Sequence, residues 1–303
     1  MVPPNVRSVN HQRLTISCPA PALAAPYRMT PPPRPPETLE GWFVLHQVAR
    51  LHGRHWRALT TAARTDTLAS ARATLDAMAT VDGGGWSATV PLVGSTSDIL
   101  CIHIRPSLAQ LFAVQGILSR EPLWDYLTPT FSFLSVTEAA LYALSVKLEE
   151  TTRERGGTIG DATYQDELAR RLAAERDSPH LQRRLFPERP ADMPYVSFYP
   201  MSKRRLTPHN WYTLPMAERD RLMREHGLTG RRYGGRIRQV VSGAIGFEQW
   251  EWGVTLFAKD PLDLKHIVTD MRHEAASADY AEFGEFFVGR KCEPAEWLAT
   301  LER

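Results

Sequence analysis

The order of strand and helix signals predicts an α+β protein in which one βαββαβ unit is followed by a second. Three observations support this prediction. Apolar and β-branched runs alternate with helical stretches from residue 41, the same order of elements returns after residue 190, and a charged helical stretch lies between them. Since a βαββαβ unit is the ferredoxin-like arrangement, the sequence predicts two tandem ferredoxin-like repeats.

The first forty residues differ from the rest because they hold ten of the 23 prolines. Proline fixes φ and lacks a backbone donor, so this stretch holds neither a helix nor a central strand. We expect residues 1–38 to form a disordered, Pro-rich extension. Two other interpretations stay open: a signal peptide over residues 14–24, interrupted by Pro19 and Pro21, and translation from Met29.

The first repeat is predicted over residues 39–150. Its expected elements, in chain order, are strand 41–49, helix 54–81, strands 86–93 and 99–104, helix 107–120 and strand 131–136. Ser107 is a suitable N-cap for the second helix, and Gly-rich or Ser-rich turns separate the strands. Residues 151–190 are charged and helical, and we expect them to connect the repeats.

The second repeat is predicted over residues 191–303. Its expected elements are strand 195–199, helix 215–226, strands 236–241 and 252–258, helix 260–272 and strand 283–288. Gly227 follows the first helix as an expected C-terminal stop. Asp260 and Pro261 fit the cap and first position of the second helix.

Composition excludes several protein classes. The chain of 303 residues is 43% hydrophobic and 23% charged, with a net charge of +2, so it is neither fibrous nor a dedicated nucleic-acid binder. No apolar run of about 18 residues is present, which predicts no membrane span. Cys18, Cys101 and Cys292 form no metal or haem-attachment motif, and a reduced cytoplasmic compartment is expected.

Basic residues concentrate between Arg183 and Arg238, where thirteen Lys or Arg face five Asp or Glu. Aromatic residues lie among them. Three interpretations stay open from this pattern: a solvated basic face, a site for single-stranded nucleic acid, or a site for a flat cofactor with several carboxylates.

His226 shares an apolar helical face with Leu222 and Met223. Such a histidine is either a hydrogen-bonded core residue or a ligand. A single histidine on an apolar face suits haem iron better than zinc, which needs more protein ligands.

Several motifs resemble the chlorite dismutase-like superfamily, and most closely its coproheme decarboxylase branch. The motifs occur in the family's order and are Tyr199-Pro-Met-Ser-Lys-Arg-Arg205, Asn210-Trp-Tyr-Thr-Leu-Pro215, Met223-Arg-Glu-His-Gly227, Gly230-Arg-Arg-Tyr-Gly-Gly235, Gln239, Trp250-Glu-Trp-Gly-Val-Thr-Leu-Phe257, Met271-Arg272 and Ser277-Ala-Asp-Tyr-Ala-Glu-Phe-Gly284. The resemblance covers residues 38–295 and implies two ferredoxin-like repeats closed into a dimeric α+β barrel type of fold, assembled as homopentamers.

The resemblance also implies roles for individual residues. These are His226 as proximal iron ligand, Gln239 as distal residue, Tyr199 as redox-active tyrosine, Lys203 as support for the second decarboxylation, Arg184, Arg272 and Ser277 as propionate-binding residues, and Met201 and Trp211 as lining of the porphyrin site. Chlorite-degrading members carry an arginine at this distal place and actinobacterial decarboxylases a histidine, so Gln239 resembles the Firmicutes-type subgroup of decarboxylases. Arg183 is the alternative to Arg184, because the spacing to Tyr199 is one residue longer than usual.

The activity implied by the resemblance is peroxide-dependent oxidative decarboxylation. Two propionates of Fe-coproporphyrin III (coproheme) become vinyl groups and give haem b, the last step of coproporphyrin-dependent haem biosynthesis. Hydrogen peroxide is the expected oxidant, and coproporphyrin ferrochelatase is an expected transient partner; nucleic acid is not. Two alternatives are a haem-dependent chlorite dismutase or peroxidase and a non-enzymatic haem-binding protein.

Overall fold

A computed structural model describes residues 33–302, and over this range the strands of both repeats join into one antiparallel sheet. The strands are β1 (Thr38–Leu51), β2 (Trp86–Pro91), β3 (Ile99–Arg105), β4 (Leu127–Ala140), β5 (Tyr195–Lys203), β6 (Ile237–Gly243), β7 (Trp252–Ala258), β8 (Ala281–Phe283) and β9 (Phe287–Arg290). The helices are α1 (Gly53–Ala58), α2 (Thr61–Ala79), α3 (Leu108–Leu118), α4 (Tyr142–Glu154), α5 (Ala162–Arg176), α6 (Pro179–Leu185), α7 (Met216–Arg232), α8 (Pro261–Arg272), α9 (Ala275–Ala278) and α10 (Pro294–Ala299).

The sheet closes on itself. Its strand order is β2-β3-β1-β4-β6-β7-β5-β8, and β9 also pairs with β5. The two repeats meet where Val136 of β4 pairs with Gly243 of β6. At the other end, Leu92 forms a bridge with Gly289, and the Val93 N–H donates to the Val288 carbonyl at 2.8 Å. The result is an antiparallel α+β barrel, as the resemblance implied.

Alternate residues of the strands fill the barrel interior. Val44 and Val48 of β1 point inward with Phe198 of β5, and all three are buried. His46 lies between the two valines and stacks on Phe198 with 3.8 Å between ring centroids. Its Nε2 lies 2.8 Å from Oγ1 of Thr255. The interior is therefore apolar with one hydrogen-bonded histidine near its centre.

The helices cover the outside of the barrel, and their ends follow local capping chemistry. Ser107 and Gln110 form a capping box at α3, as the position of Ser107 predicts. Asp260 accepts a hydrogen bond from the Leu262 N–H at 2.8 Å and begins α8, again as predicted. The outer face of the second repeat packs against α8 through Leu264 and Ile267.

Several predicted boundaries are wrong. In the first repeat the helix expected over 54–81 divides into α1 and α2, and the strand expected over 131–136 is the longer β4. Two further differences lie in the second repeat. The helix expected to end at 226 continues to Arg232 as α7, and Gly227 keeps an ordinary helical backbone. Buried contacts of Leu222 and Thr229 on either side hold this helix, so tertiary packing outweighs the glycine. The final predicted strand divides into β8 and β9, which pair with different parts of β5.

The connecting stretch is helical as expected, and α4, α5 and α6 occupy it. The predicted disordered extension lies, through residue 32, outside the described residues. Among the helices described, none is long and apolar enough to cross a membrane.

Candidate active site

The outer face of β5, β6 and β7 forms one wall of the candidate site. Tyr199, Met201 and Lys203 alternate along β5 and therefore share a face. Val254 of β7 pairs with Tyr199, and Val241 of β6 pairs with Val254, so the wall continues across three strands. The wall is mostly apolar, and the side chains that can take part in chemistry lie along β5.

His226 on α7 is held by a carboxylate. Its Nδ1 lies 2.8 Å from Oε2 of Glu274, the residue that precedes α9. Because a carboxylate only accepts, Nδ1 is the protonated nitrogen and Nε2 carries the free lone pair. Burial lowers the pKa of His226, while Glu274 opposes this change. The imidazole is therefore oriented and prepared as a single neutral ligand.

Tyr199 is buried among aromatic rings, with 5% of its surface exposed. Its ring stacks on Phe286 at 4.3 Å between centroids, and Phe283 lies at 5.9 Å. Burial raises the pKa of Tyr199, and Arg272 opposes the shift. The phenol consequently keeps its proton at neutral pH and has a hydrogen atom to give up.

Lys203 ends β5 with its side chain partly buried. Its Nζ donates to the Ala276 carbonyl at 2.7 Å and lies 4.2 Å from the centroid of the Trp211 ring. Burial lowers the pKa of Lys203 to about 8, and Glu251 opposes the shift. Lys203 therefore remains mostly charged at pH 7, as a cation–π partner and as a donor for a carboxylate.

Trp211 lies behind Lys203. It is 2% exposed and makes edge contacts with Tyr280 at 5.8 Å and Tyr142 at 6.3 Å between ring centroids. It meets the site through its cation–π contact with Lys203.

Gln239 lies on the same sheet face as Ile237 and Val241, and its side chain is exposed. Its pairing partner on β7 is Leu256, a member of the apolar wall. The Gln239 Nε2 lies 3.7 Å from the point where a Cβ on Gly230 of α7 would stand. Gln239, rather than Arg238, thus faces the helices of the second repeat.

The predicted carboxylate-binding residues lie in two places. Arg272 is exposed, with its guanidinium carbon 4.8 Å from the Phe283 centroid and beside Tyr199. Ser277 is buried in α9 next to Ala276, the residue that accepts from Lys203. Arg272 thus lies at the Tyr199 end of the site, whereas Ser277 and Lys203 both meet α9, next to the Glu274 that holds His226.

Arg184 lies farther along the barrel edge. It lies in the last turn of α6, and its Nε donates to the Glu138 carbonyl at 3.0 Å. The Glu138 carboxylate accepts from Trp252 Nε1 at 2.9 Å, and Trp252 pairs with Met201. Arg184 is therefore linked to the Met201 end of the wall through Glu138 and Trp252.

The donor set fits an iron porphyrin. One imidazole nitrogen is available, and between residues 33 and 302 no cluster of three His, Cys, Asp or Glu side chains could hold a metal ion by itself. A metal bound at His226 would therefore bring its other ligands with it, as porphyrin iron does. The apolar wall suits a flat ring, and the cations at its edge suit carboxylates.

Known proteins are similar to this chain in sequence and fold. The chlorite dismutase family matches residues 64–292. The coproheme decarboxylase of Staphylococcus carnosus is 38% identical over 269 residues, covering 88% of this chain and 98% of that protein. A heme-binding protein structure from Thermus thermophilus superposes with a TM-score of 0.76 and 36% identity, covering 89% of this chain and 99% of the other. Chlorite dismutase from Candidatus Nitrospira defluvii superposes with a TM-score of 0.63 at 14% identity, covering 87% and 96%, which shows a shared fold.

Proposed function

Since the chain belongs to the chlorite dismutase family, we propose that it is a coproheme decarboxylase that converts two propionates of Fe-coproporphyrin III into vinyl groups and yields haem b. The observation that supports this most is the placement of Tyr199 and Lys203 on one face of β5, where Lys203 also reaches α9, next to the Glu274 that holds His226. The decarboxylase of S. carnosus, similar over nearly its whole length, supports the same assignment.

Each conversion is an oxidation. A propionate, one hydrogen peroxide and one proton give a vinyl group, carbon dioxide and two water molecules, so carbon loses two electrons that peroxide accepts. When bound, the iron porphyrin supplies the peroxide-driven oxidising power. The protein then needs a group that takes a hydrogen atom from the propionate β-carbon and groups that hold the carboxylate.

Tyr199 fits the hydrogen-transfer role. Its phenol can lose a proton and an electron, and the resulting radical can take the β-hydrogen; aliphatic side chains cannot do this. Its burial against Phe286 and its protonated state keep the hydrogen available until it is oxidised. Arg272 and Ser277 are proposed to hold a propionate on the same side.

The remaining assignments complete the proposal. His226 Nε2 holds the iron, and Met201 lines the ring site with Trp211 behind Lys203. Lys203 holds the propionate that reacts second. Arg184 holds another propionate, at the edge of the barrel. Gln239 offers peroxide a neutral hydrogen-bond partner without acting as a strong base or a cation. A cytoplasmic location, assembly as a homopentamer and transient contact with coproporphyrin ferrochelatase stay predictions.

Reconstitution tests the proposal. Purified protein is loaded with ferric coproheme, hydrogen peroxide is added stepwise, and porphyrins are identified by mass spectrometry. Two propionates are expected to be decarboxylated in succession, first giving a three-propionate porphyrin and then haem b. Tight binding without any change in mass would instead support a haem-binding protein, the description of the T. thermophilus structure. Oxygen release from chlorite under the same conditions would support the chlorite dismutase alternative.

A further inference from the structure

A buried carboxylate that no assigned role uses lies behind Lys203. Glu251 precedes β7 and is 3% exposed. Its Oε2 accepts the Lys203 N–H at 2.7 Å. Its Oε1 accepts from Arg205, with Nε at 3.0 Å and a second contact from the same guanidinium. One carboxylate therefore binds the main chain of Lys203 and the side chain two residues further on.

The backbone of Glu251 is fixed as firmly as its side chain. Its N–H donates to the Met201 carbonyl at 3.0 Å, and its carbonyl accepts from the Ala244 N–H at 2.7 Å. The carboxylate is thus anchored to the barrel from two directions. A buried carboxylate is costly unless its oxygens are paired, and both oxygens of Glu251 are paired here.

Lys203 itself is held from two sides. On the main-chain side Glu251 fixes the end of β5, and on the side-chain side Ala276 accepts from Nζ. The ladder between β5 and β7 ends at Met201, which pairs with Trp252, so beyond it the Glu251 carboxylate accepts the Lys203 N–H, while Lys203 still pairs with Ala281 of β8 on the other side. The same carboxylate supplies a negative charge near the Lys203 ammonium, which stabilises its charged form.

We propose that Glu251 is a positioning residue for Lys203, holding the end of β5 so that the ammonium faces a porphyrin carboxylate. This inference rests on the proposed function for the identity of the ligand. Glu251 touches no reacting atom, and its effect passes through Lys203.

The test compares affinities for ferric coproheme and haem b, because the two differ only in the propionates that the reaction removes. Affinities are measured by Soret titration without peroxide. Lys203→Met is expected to lower the preference for coproheme roughly tenfold or more, the effect of losing a charge-assisted hydrogen bond. Glu251→Gln is expected to lower the same preference, because its amide turns a donor toward the Lys203 N–H or Arg205.

A double-mutant cycle separates positioning from general support. If Glu251 acts through Lys203, the double variant loses no more preference than Lys203→Met alone. Losses that multiply would overturn the proposal. Glu248→Gln is the matched control: this carboxylate of the same turn accepts from the Leu134 N–H at 2.8 Å, away from Lys203, and the preference should be unchanged.

A second variant, Glu251→Asp, keeps the proposal testable if Glu251→Gln folds poorly. Glu251→Asp keeps the charge but shortens the reach to the Lys203 N–H, so an intermediate loss of preference is expected; a wild-type preference would contradict the positioning role. Because no turnover is required, the outcome is independent of decarboxylation. Wild-type protein that prefers coproheme but never forms haem b would overturn the proposed function and leave the Glu251 inference standing.

Discussion

Tyr199 is the residue whose chemistry the proposed reaction needs most. Tyr199→Phe removes one oxygen and keeps the stacking on Phe286, so coproheme should bind with little change while haem b formation stops at the first step. Product mass spectrometry checks this. The matched control is Tyr195→Phe, a half-buried tyrosine four residues earlier on the same strand face, which should form haem b normally. Normal haem b yield from Tyr199→Phe would remove Tyr199 from the reaction.

Glu274 should affect iron porphyrin binding almost as strongly as His226, the ligand that it orients. Glu274→Gln weakens the hydrogen bond to His226 Nδ1, and the expected loss of iron porphyrin affinity is about 10- to 100-fold. His226→Ala should lose the histidine-ligated spectrum altogether. Glu225→Gln, beside His226 but paired with Arg221 on the exposed side of α7, is the control. An unchanged spectrum in His226→Ala would mean that another group binds the iron.

The charge on Lys203 predicts a pH dependence. Its pKa is lowered to about 8, so the ammonium is present below that pH and is lost above it. Coproheme affinity should therefore fall as the pH rises through about 8. Soret titrations between pH 6 and pH 10 check this, and the fall should be absent in Lys203→Met. A parallel fall in that variant would assign the titration to another group.

The sequence alone points to some of the site residues and not to others. His226, Tyr199 and Lys203 stand in motifs that a family resemblance identifies. Glu274 and Glu251 do not, because each is one of 34 acidic residues and each meets its partner across 48 positions of chain. Nothing in local spacing indicates which carboxylate folds back onto which side chain.

At the scale of elements, replacing glycine by alanine is expected to change stability in opposite directions at two positions. Gly227 lies inside α7, and a Cβ there would meet only the end of Arg231 at 3.6 Å. Gly227→Ala should therefore stabilise the protein by about 0.5–1 kcal/mol. Gly289 lies where β9 meets β2, and a Cβ there would stand 2.1 Å from the Pro91 carbonyl oxygen. Gly289→Ala should destabilise the protein and open the barrel seam.

Denaturant unfolding of both variants measures these effects. Equal destabilisation by the two substitutions would show that α7 does not continue through Gly227 in solution. Coproheme binding by Gly227→Ala provides the internal check, since the helix that carries His226 should be unchanged.

The ends of helices and strands were predicted correctly where a residue's own local hydrogen bonds determine them. They were predicted incorrectly where packing against other elements determines them. The caps at Ser107 and Asp260 were predictable because a side chain bonds to its own helix. The extension of α7 past Gly227 depends on packing, since Leu222, which clusters with Trp211 and Ala276, and Thr229 are both buried. The division of the last strand depends on how β5 is shared between β8 and β9, which no local pattern specifies.

At the scale of the whole molecule, two buried histidines, one inside the barrel and one on its outer face, should make stability sensitive to acid. Burial lowers the pKa of His46 and of His103 to about 3, against an ordinary value of 6.5. The unfolded chain thus binds these protons first, and stability is lost as the pH falls from about 6.5 toward 3. The slope is up to about 1.4 kcal/mol per pH unit for each histidine.

Unfolding measured across this range checks the prediction. His46→Gln removes one titrating group and should flatten the slope, whereas His180→Gln, at an exposed position, should leave it unchanged. An unaltered slope in His46→Gln would mean that this imidazole does not stay neutral inside the folded barrel.

The duplicated pattern predicted two βαββαβ repeats, and their closure into one barrel followed from the family resemblance. Closure itself depends on bridges between residues nearly two hundred positions apart, such as Leu92 and Gly289, which strand signals do not encode. The barrel presents its second half to α7, α8 and α9, and this half holds His226, Tyr199, Lys203 and Gln239.

We propose that this half of the barrel oxidises two propionates of one bound porphyrin in sequence. The most direct measurement adds hydrogen peroxide in equal portions to the coproheme-loaded wild-type protein and quantifies carbon dioxide and all porphyrins after each portion. The proposal predicts a three-propionate species that rises and then falls, with two carbon dioxide molecules released per haem b. Porphyrin bleaching without carbon dioxide, or binding with no change in mass, would contradict it.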